Sequence, residues 1–170
     1  MATGPRYFVP FRRRREGKTD YYARGRLIVA DSPRMVVRVT NKHVIIQLVT
    51  AEMDGDKTLV SATSKELKAL GYSGNTKNTP AIYLTSLLLC QKAKKKNVKE
   101  VILDLGARNY KSGNKIFAGL KAIVDSGIIC PFDEKAFPSK DRIEGKVTAE
   151  YLKKPIDKEF ISTKEKILKM

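Results

Sequence analysis

Between residues 34 and 62 the chain alternates apolar and polar positions with the period of a half-buried strand. In residues 34–40, Met35, Val37 and Val39 fall on one side, and Val36, Arg38 and Thr40 on the other. Thr40-Asn41-Lys42-His43 is a polar turn, and residues 44–50 are apolar and β-branched. Asp54-Gly55 is a hairpin signal, and residues 57–62 supply a third strand. These runs predict an antiparallel meander of three strands.

The pattern then changes to helical. Thr63 and Glu66 form a capping box, Leu67 and Leu70 face a core, and Gly71 stops the helix. Thr79 is placed to cap a second helix with Pro80 at its first position. That helix buries Leu84, Leu87, Leu88 and Cys90 and runs out into Lys92, Lys94, Lys95 and Lys96. Residues 101–105 are a short apolar strand, followed by a polar loop over 106–113. Ile116, Phe117, Leu120, Ile123 and Val124 then mark an amphipathic helix closed by Gly127. Upstream of the meander, residues 18–30 have partial helical periodicity, weakened at Gly25. Beyond Pro131, residues 141–154 and 162–169 suit surface helices, the second with Ser162 and Glu165 as its capping box. The expected fold is α/β: a three-stranded antiparallel meander plus a further strand, packed on helices. The expected division is a basic arm over 1–16, a core over 17–132 and a helical extension over 133–170.

Charge decides what such a core is for. The chain of 170 residues has 34 Lys and Arg against 18 Asp and Glu, a formal net charge of +16. A domain this basic repels itself unless a polyanion neutralises it, and nucleic acid is the usual partner. Arg12, Arg13, Arg14 and Arg15 stand in a row, with Lys18 and Arg24 beyond and Tyr21 and Tyr22 between. Guanidinium forks match phosphate oxygens, and the tyrosines are suited to stacking on bases or riboses. Such a block of like charge is expected to stay disordered until RNA binds. Asn41, Lys42 and His43 form a polar tip able to reach RNA. Lys111 and Lys115 flank a helix start that favours phosphate, although the P-loop spacing is missing.

Other classes fit less well. Asp104 at a strand end has no partner in the pattern, so catalysis is not expected; an RNA-modifying or RNA-cleaving enzyme is the alternative. Cys90 and Cys130 are far apart and read as reduced thiols, and with His43 as the only histidine no metal or other cofactor is expected. No apolar run reaches the length of a membrane span, no apolar leader is present, and no basic amphipathic helix with aromatic anchors suggests a membrane partner. The expected location is the cytoplasm. RNA is preferred to DNA because no helix-turn-helix or zinc-finger pattern is visible.

Several stretches, in order along nearly the whole chain, resemble one family. They are Arg12 to Tyr21, the strand and turn from Arg34 to His43 with Gln47, and Tyr83-Leu84-Thr85 before the helix from Leu87 to Ala93. Leu103-Asp104-Leu105-Gly106, Lys115 to Lys121, Asp125-Ser126-Gly127 and Arg142-Ile143-Glu144-Gly145 follow. The chain resembles the 5S rRNA-binding L-eighteen family of large-subunit ribosomal proteins in its archaeal form. The resemblance implies a fold of the kind used in the translational machinery. It also implies a structural role in the central protuberance, tethering 5S rRNA to 23S rRNA beside neighbouring ribosomal proteins. The RNA contacts it implies are Arg12, Arg13, Arg14, Arg15, Lys18, Arg24, Arg38, Asn41, Lys42, His43 and Gln47. Pro131-Phe132 stands where relatives often have Pro-His, and residues 108–113 diverge. The segment after Pro131 exceeds the bacterial form and lacks the eukaryotic extension, which favours an archaeal source.

Overall fold

A computed structural model describes residues 4–107, 111–153 and 155–170. Arg108, Asn109 and Tyr110 of the polar loop lie outside the described residues.

The arginine run is not featureless: α1 (Arg12–Arg15) is one turn of helix. Glu16 at its end offsets part of the charge, with Lys18 Nζ at 2.6 Å and Arg12 Nε at 3.8 Å. Arg13 Nε donates to Thr19 Oγ1 at 2.8 Å, and the Phe11 and Tyr21 rings meet at 5.7 Å. The sequence pattern counted only the repulsion and so missed these local ties. Next comes α2 (Tyr21–Val29), shorter than the periodicity implied, because the Asp20 carboxylate caps it by accepting from the Tyr22 and Ala23 N–H groups.

Strands β1 (Arg34–Val39), β2 (Val44–Glu52) and β3 (Gly55–Thr63) form the expected meander. Glu52 pairs with Gly55, so the tight turn is Met53-Asp54 and Gly55 already belongs to the strand. A register shift after Leu48 leaves Leu59 as an extra residue and adds local twist. Met35, Val37, Ile46, Leu48, Val60 and Ala62 all point to one face and are buried.

The short α3 (Glu66–Ala69) follows, with the Glu66 carboxylate accepting from the Thr63 N–H at 2.9 Å. Helix α4 (Thr79–Lys94) fills the centre of the molecule. Its cap is Asn78, whose side chain accepts from the Ala81 N–H at 2.9 Å; Thr79 is the first helical residue instead. Asx and hydroxyl caps compete on nearly equal terms. The helix is apolar almost all round because β2 and β3 cover one side and later helices the other.

The further strand, β4 (Ile102–Asp104), lies parallel to β1, giving the order β3-β2-β1-β4. Amphipathic α5 (Ile116–Ser126) packs on α4 and ends at Gly127, as its pattern implies. The two surface helices expected beyond it need correction. The first is two helices, α6 (Lys140–Glu144) and α7 (Lys146–Leu152), broken at Gly145, whose φ of 85° suits glycine. The second, α8 (Ile156–Leu168), starts six residues before Ser162, which therefore sits mid-helix and donates to the Glu159 carbonyl rather than capping. Helix α8 also buries Ile156, Phe160 and Ile167 and packs on α4. The i, i+4, i+11 spacing of those three was the signal that the capping box obscured.

Cys90 and Cys130 are free and buried. Burial pushes the Cys90 thiol up to about 11, which suppresses the reactive thiolate. Native protein should therefore resist alkylation by iodoacetamide, and denatured, non-reduced protein should take up two adducts by mass. Fewer than two adducts would show a disulfide or an oxidised thiol.

Candidate nucleic-acid interface

The alternation that buries Met35 and Val37 sends Arg34, Val36 and Arg38 off the opposite face of β1. On that face the parallel neighbour β4 places Asp104 beside Val36, and Asp56, the second residue of β3, lies within reach of Arg34. The result is a chain of ion pairs. Arg34 is only 2% exposed; its Nη1 donates to Asp104 Oδ2 at 3.0 Å and its Nη2 to Asp56 Oδ1 at 2.7 Å. Asp56 also takes Arg24 Nη2 from α2 at 3.1 Å.

Arg38 is held from three sides. Its Nη1 donates to the carbonyls of Val37 at 3.0 Å and Asp104 at 3.2 Å, and its Nη2 to Asp104 Oδ1 at 3.3 Å. The same Oδ1 accepts from the Gly106 N–H at 2.8 Å. At Gly106, φ is +72° and an added Cβ would lie 3.2 Å from the Arg38 guanidinium carbon, so only glycine lets that side chain lie flat on the loop. Both oxygens of Asp104 are thus occupied by arginines and an amide, which is the chemistry of an anchor and not of a general base.

A cleft of about 590 Å³ opens between this face, α2 and the end of the arm. Its basic wall is Arg13, Lys18, Arg24, Arg26, Arg34 and Arg38. Its carboxylates, Asp20, Asp56 and Asp104, are already engaged in the α2 cap and the ion pairs. The remaining field is positive, and Gln47 from β2 adds an uncharged amide.

Of the residues singled out from sequence, Arg13, Lys18, Arg24, Arg38 and Gln47 meet in this cleft. Tyr21 follows the cleft residue Asp20 and meets the Phe11 ring at a tilt of 47°, while Arg14 lies over the Tyr22 ring at 5.1 Å. Arg12 and Arg15 are on the exposed side of α1. Asn41, Lys42 and His43 lie apart, beyond the end of β1, where Thr76 Oγ1 donates to the Lys42 carbonyl at 2.6 Å. Loss of solvent, together with Lys65, Lys68 and Lys42, holds His43 below its ordinary pKa, so it is neutral at pH 7. Lys115 is on another side of the molecule, and Lys111 lines neither the cleft nor the turn. Sequence reasoning missed Arg34, Arg26 and Asp56. Arg34 had a signal, since it falls on the outward side of the period-two pattern.

Among the described residues no set of acidic, histidine or cysteine side chains is placed to hold a metal, and no helix is long and apolar enough to cross a membrane. A mixed sheet with most of its helices on one side, and a cleft lined by arginines between the other side and α2, defines an α/β module with a concentrated basic face. Comparison with known proteins gives the family. Residues 5–99 match the family model described as ribosomal large subunit proteins 60S L5 and 50S L18. The large ribosomal subunit protein uL18 of Methanoregula boonei is 59% identical over 92% of this chain and 90% of its own. That of Methanospirillum hungatei is 52% identical over 89% and 86%, and that of Methanothrix thermoacetophila 46% over 99% of both. The chain belongs to this family of large-subunit ribosomal proteins, whose role is structural and not enzymatic and whose place is the ribosome in the cytoplasm.

Replacing Arg34 by Met should cost about 1–3 kcal/mol, because it leaves the buried Asp104 Oδ2 without a donor while Arg38 still holds Oδ1. Replacing Lys18 by Ala, which removes an exposed pair with Glu16, should cost less than about 1 kcal/mol. Urea unfolding of both variants checks this contrast; equal costs would show that the Arg34 network does not hold the sheet face together.

Proposed function

We propose that the chain binds 5S rRNA through the arm, the cleft and the β1–β2 turn, and tethers it to 23S rRNA in the central protuberance of the large subunit. The observation that carries this reading is the cleft itself. Arg24, Arg34 and Arg38 are held in place by Asp56 and Asp104, while Arg13 and Arg26 line the same cleft with no carboxylate of their own among the described residues, so its basic wall exceeds the acids that anchor it. Fixing a fork before binding lowers the entropy lost when it meets a phosphate. Tyr21 and the exposed Tyr22, next in the chain to the cleft residue Asp20, offer stacking faces to unpaired nucleotides. The family and its named relatives supply the setting, the large ribosomal subunit.

The arm and the turn divide the work. Arg12 to Arg15 act on phosphates and so on affinity for any RNA, whereas Asn41 and neutral His43 offer directional hydrogen bonds and so selectivity. Replacing Arg12, Arg13, Arg14 and Arg15 by alanine should lower the slope of log affinity against log salt by roughly 3, at roughly 0.7 to 0.9 per contact. Replacing Asn41 and His43 by alanine should leave that slope nearly unchanged but cost roughly 1–3 kcal/mol of preference for 5S rRNA over a random RNA. Filter binding across a salt series with both RNAs measures both effects. The roles are reversed if the arm variant loses selectivity and the turn variant loses only salt dependence.

A further inference from the structure

A second basic concavity lies away from the cleft, at the end of the helical layer. It is an open groove of about 370 Å³ between the starts of α4 and α5 and the α6–α7 pair. Lys77, Lys115 and Arg142 line it, with Asn114 and Thr148 beside them, and no carboxylate among the described residues does. None of these residues lines the arginine cleft, which opens off the opposite face of the sheet.

Among the described residues no carboxylate lies within ion-pair distance of these three cations, in contrast to several others on this surface. Lys18, Lys57, Lys92, Lys121 and Lys146 each have a carboxylate within ion-pair distance. In the groove the contacts are to backbone instead. Lys115 Nζ donates to the Lys77 carbonyl and Arg142 Nη1 to the Gly113 carbonyl, each at 3.3 Å. Those bonds fix the side chains in place but neutralise nothing. Partial burial and the Lys77 charge push Lys115 below its ordinary pKa, as expected for a cation without its anion.

We propose that this groove grips the phosphate backbone of a second RNA segment, separate from the one in the cleft, so that a single copy of the protein holds two RNA strands on opposite sides. The proposal rests on the reading of the chain as an rRNA binder. Three cations along an open groove with amide and hydroxyl donors suit a phosphodiester backbone, which presents charge at regular intervals and asks for no base-specific contact. A groove of this kind confers bridging without selectivity, and the selectivity stays with the cleft and turn.

The test uses the full chain, immobilised 5S rRNA and labelled 23S rRNA from an archaeal relative. Lys77→Ala with Arg142→Ala removes two groove cations that belong to neither the cleft nor the core. The double variant should bind 5S rRNA within about twofold of the parent, yet capture of 23S rRNA through it should fall about tenfold or more, as expected for two lost charged contacts. Thermal unfolding of the variant, matched to the parent, excludes a folding defect. Undiminished capture would overturn the proposal. So would a parallel loss of 5S affinity, which would make the groove part of the first site, and so would a parent that binds 5S rRNA but captures no 23S rRNA. A parent that fails to bind 5S rRNA at all would instead overturn the function proposed above.

Discussion

The pair between Arg34 and Asp104 joins the first strand of the sheet to the last. It is buried, which makes it expensive to form and more expensive to break: without Arg34 the inner oxygen of Asp104 would have neither water nor a donor, and without Asp104 the buried guanidinium would keep only Asp56. Everything on the outward face follows from it. With Asp104 fixed by Arg34, its second oxygen and its carbonyl are positioned to take Arg38. With Arg34 fixed, its other fork arm holds Asp56, and Asp56 holds Arg24 and through it α2. Two carboxylates therefore set the places of three arginines and one helix. Such a network is weak evidence for stability in itself, but it is a means of giving flexible side chains one geometry.

This arrangement gives a physical meaning to the excess of +16. The acids in and around the cleft do not dilute its charge at random; they serve as anchors for basic residues and leave the outer N–H groups for a partner. Helix α1 works in the same way on a smaller scale, with Glu16 tying Arg12 and Lys18 at one end while the rest of the run faces out. Repulsion between the remaining cations is the cost of the design, and binding to RNA relieves it by releasing the counterions that both partners condense.

The meander, α5 and the basic arm were legible in the sequence because each rests on a local signal: a period of two, a period near 3.6, or a run of one charge. The buried network was not. Asp104 pairs with residues 70 and 66 positions earlier, and only the parallel pairing of β4 with β1 brings them together. From spacing alone Asp104 was an isolated carboxylate. Helix α8 was misjudged for a different reason. A good local cap at Ser162 drew attention from an apolar stripe that began earlier, and packing on α4 outweighed the cap. The hydrogen bond that ties the Asn41–His43 turn to Thr76 likewise spans 34 positions, which no period reveals.

The central claim is that the outward face of the sheet, and not the helical extension, receives 5S rRNA. Ultraviolet cross-linking of the full chain to 5S rRNA, with the joined peptides identified by mass, tests it most directly. The account predicts cross-links on peptides carrying Arg13, Tyr21, Arg24, Arg38 and Gln47. Cross-links confined to α7 and α8, with the cleft peptides unmodified, would contradict it.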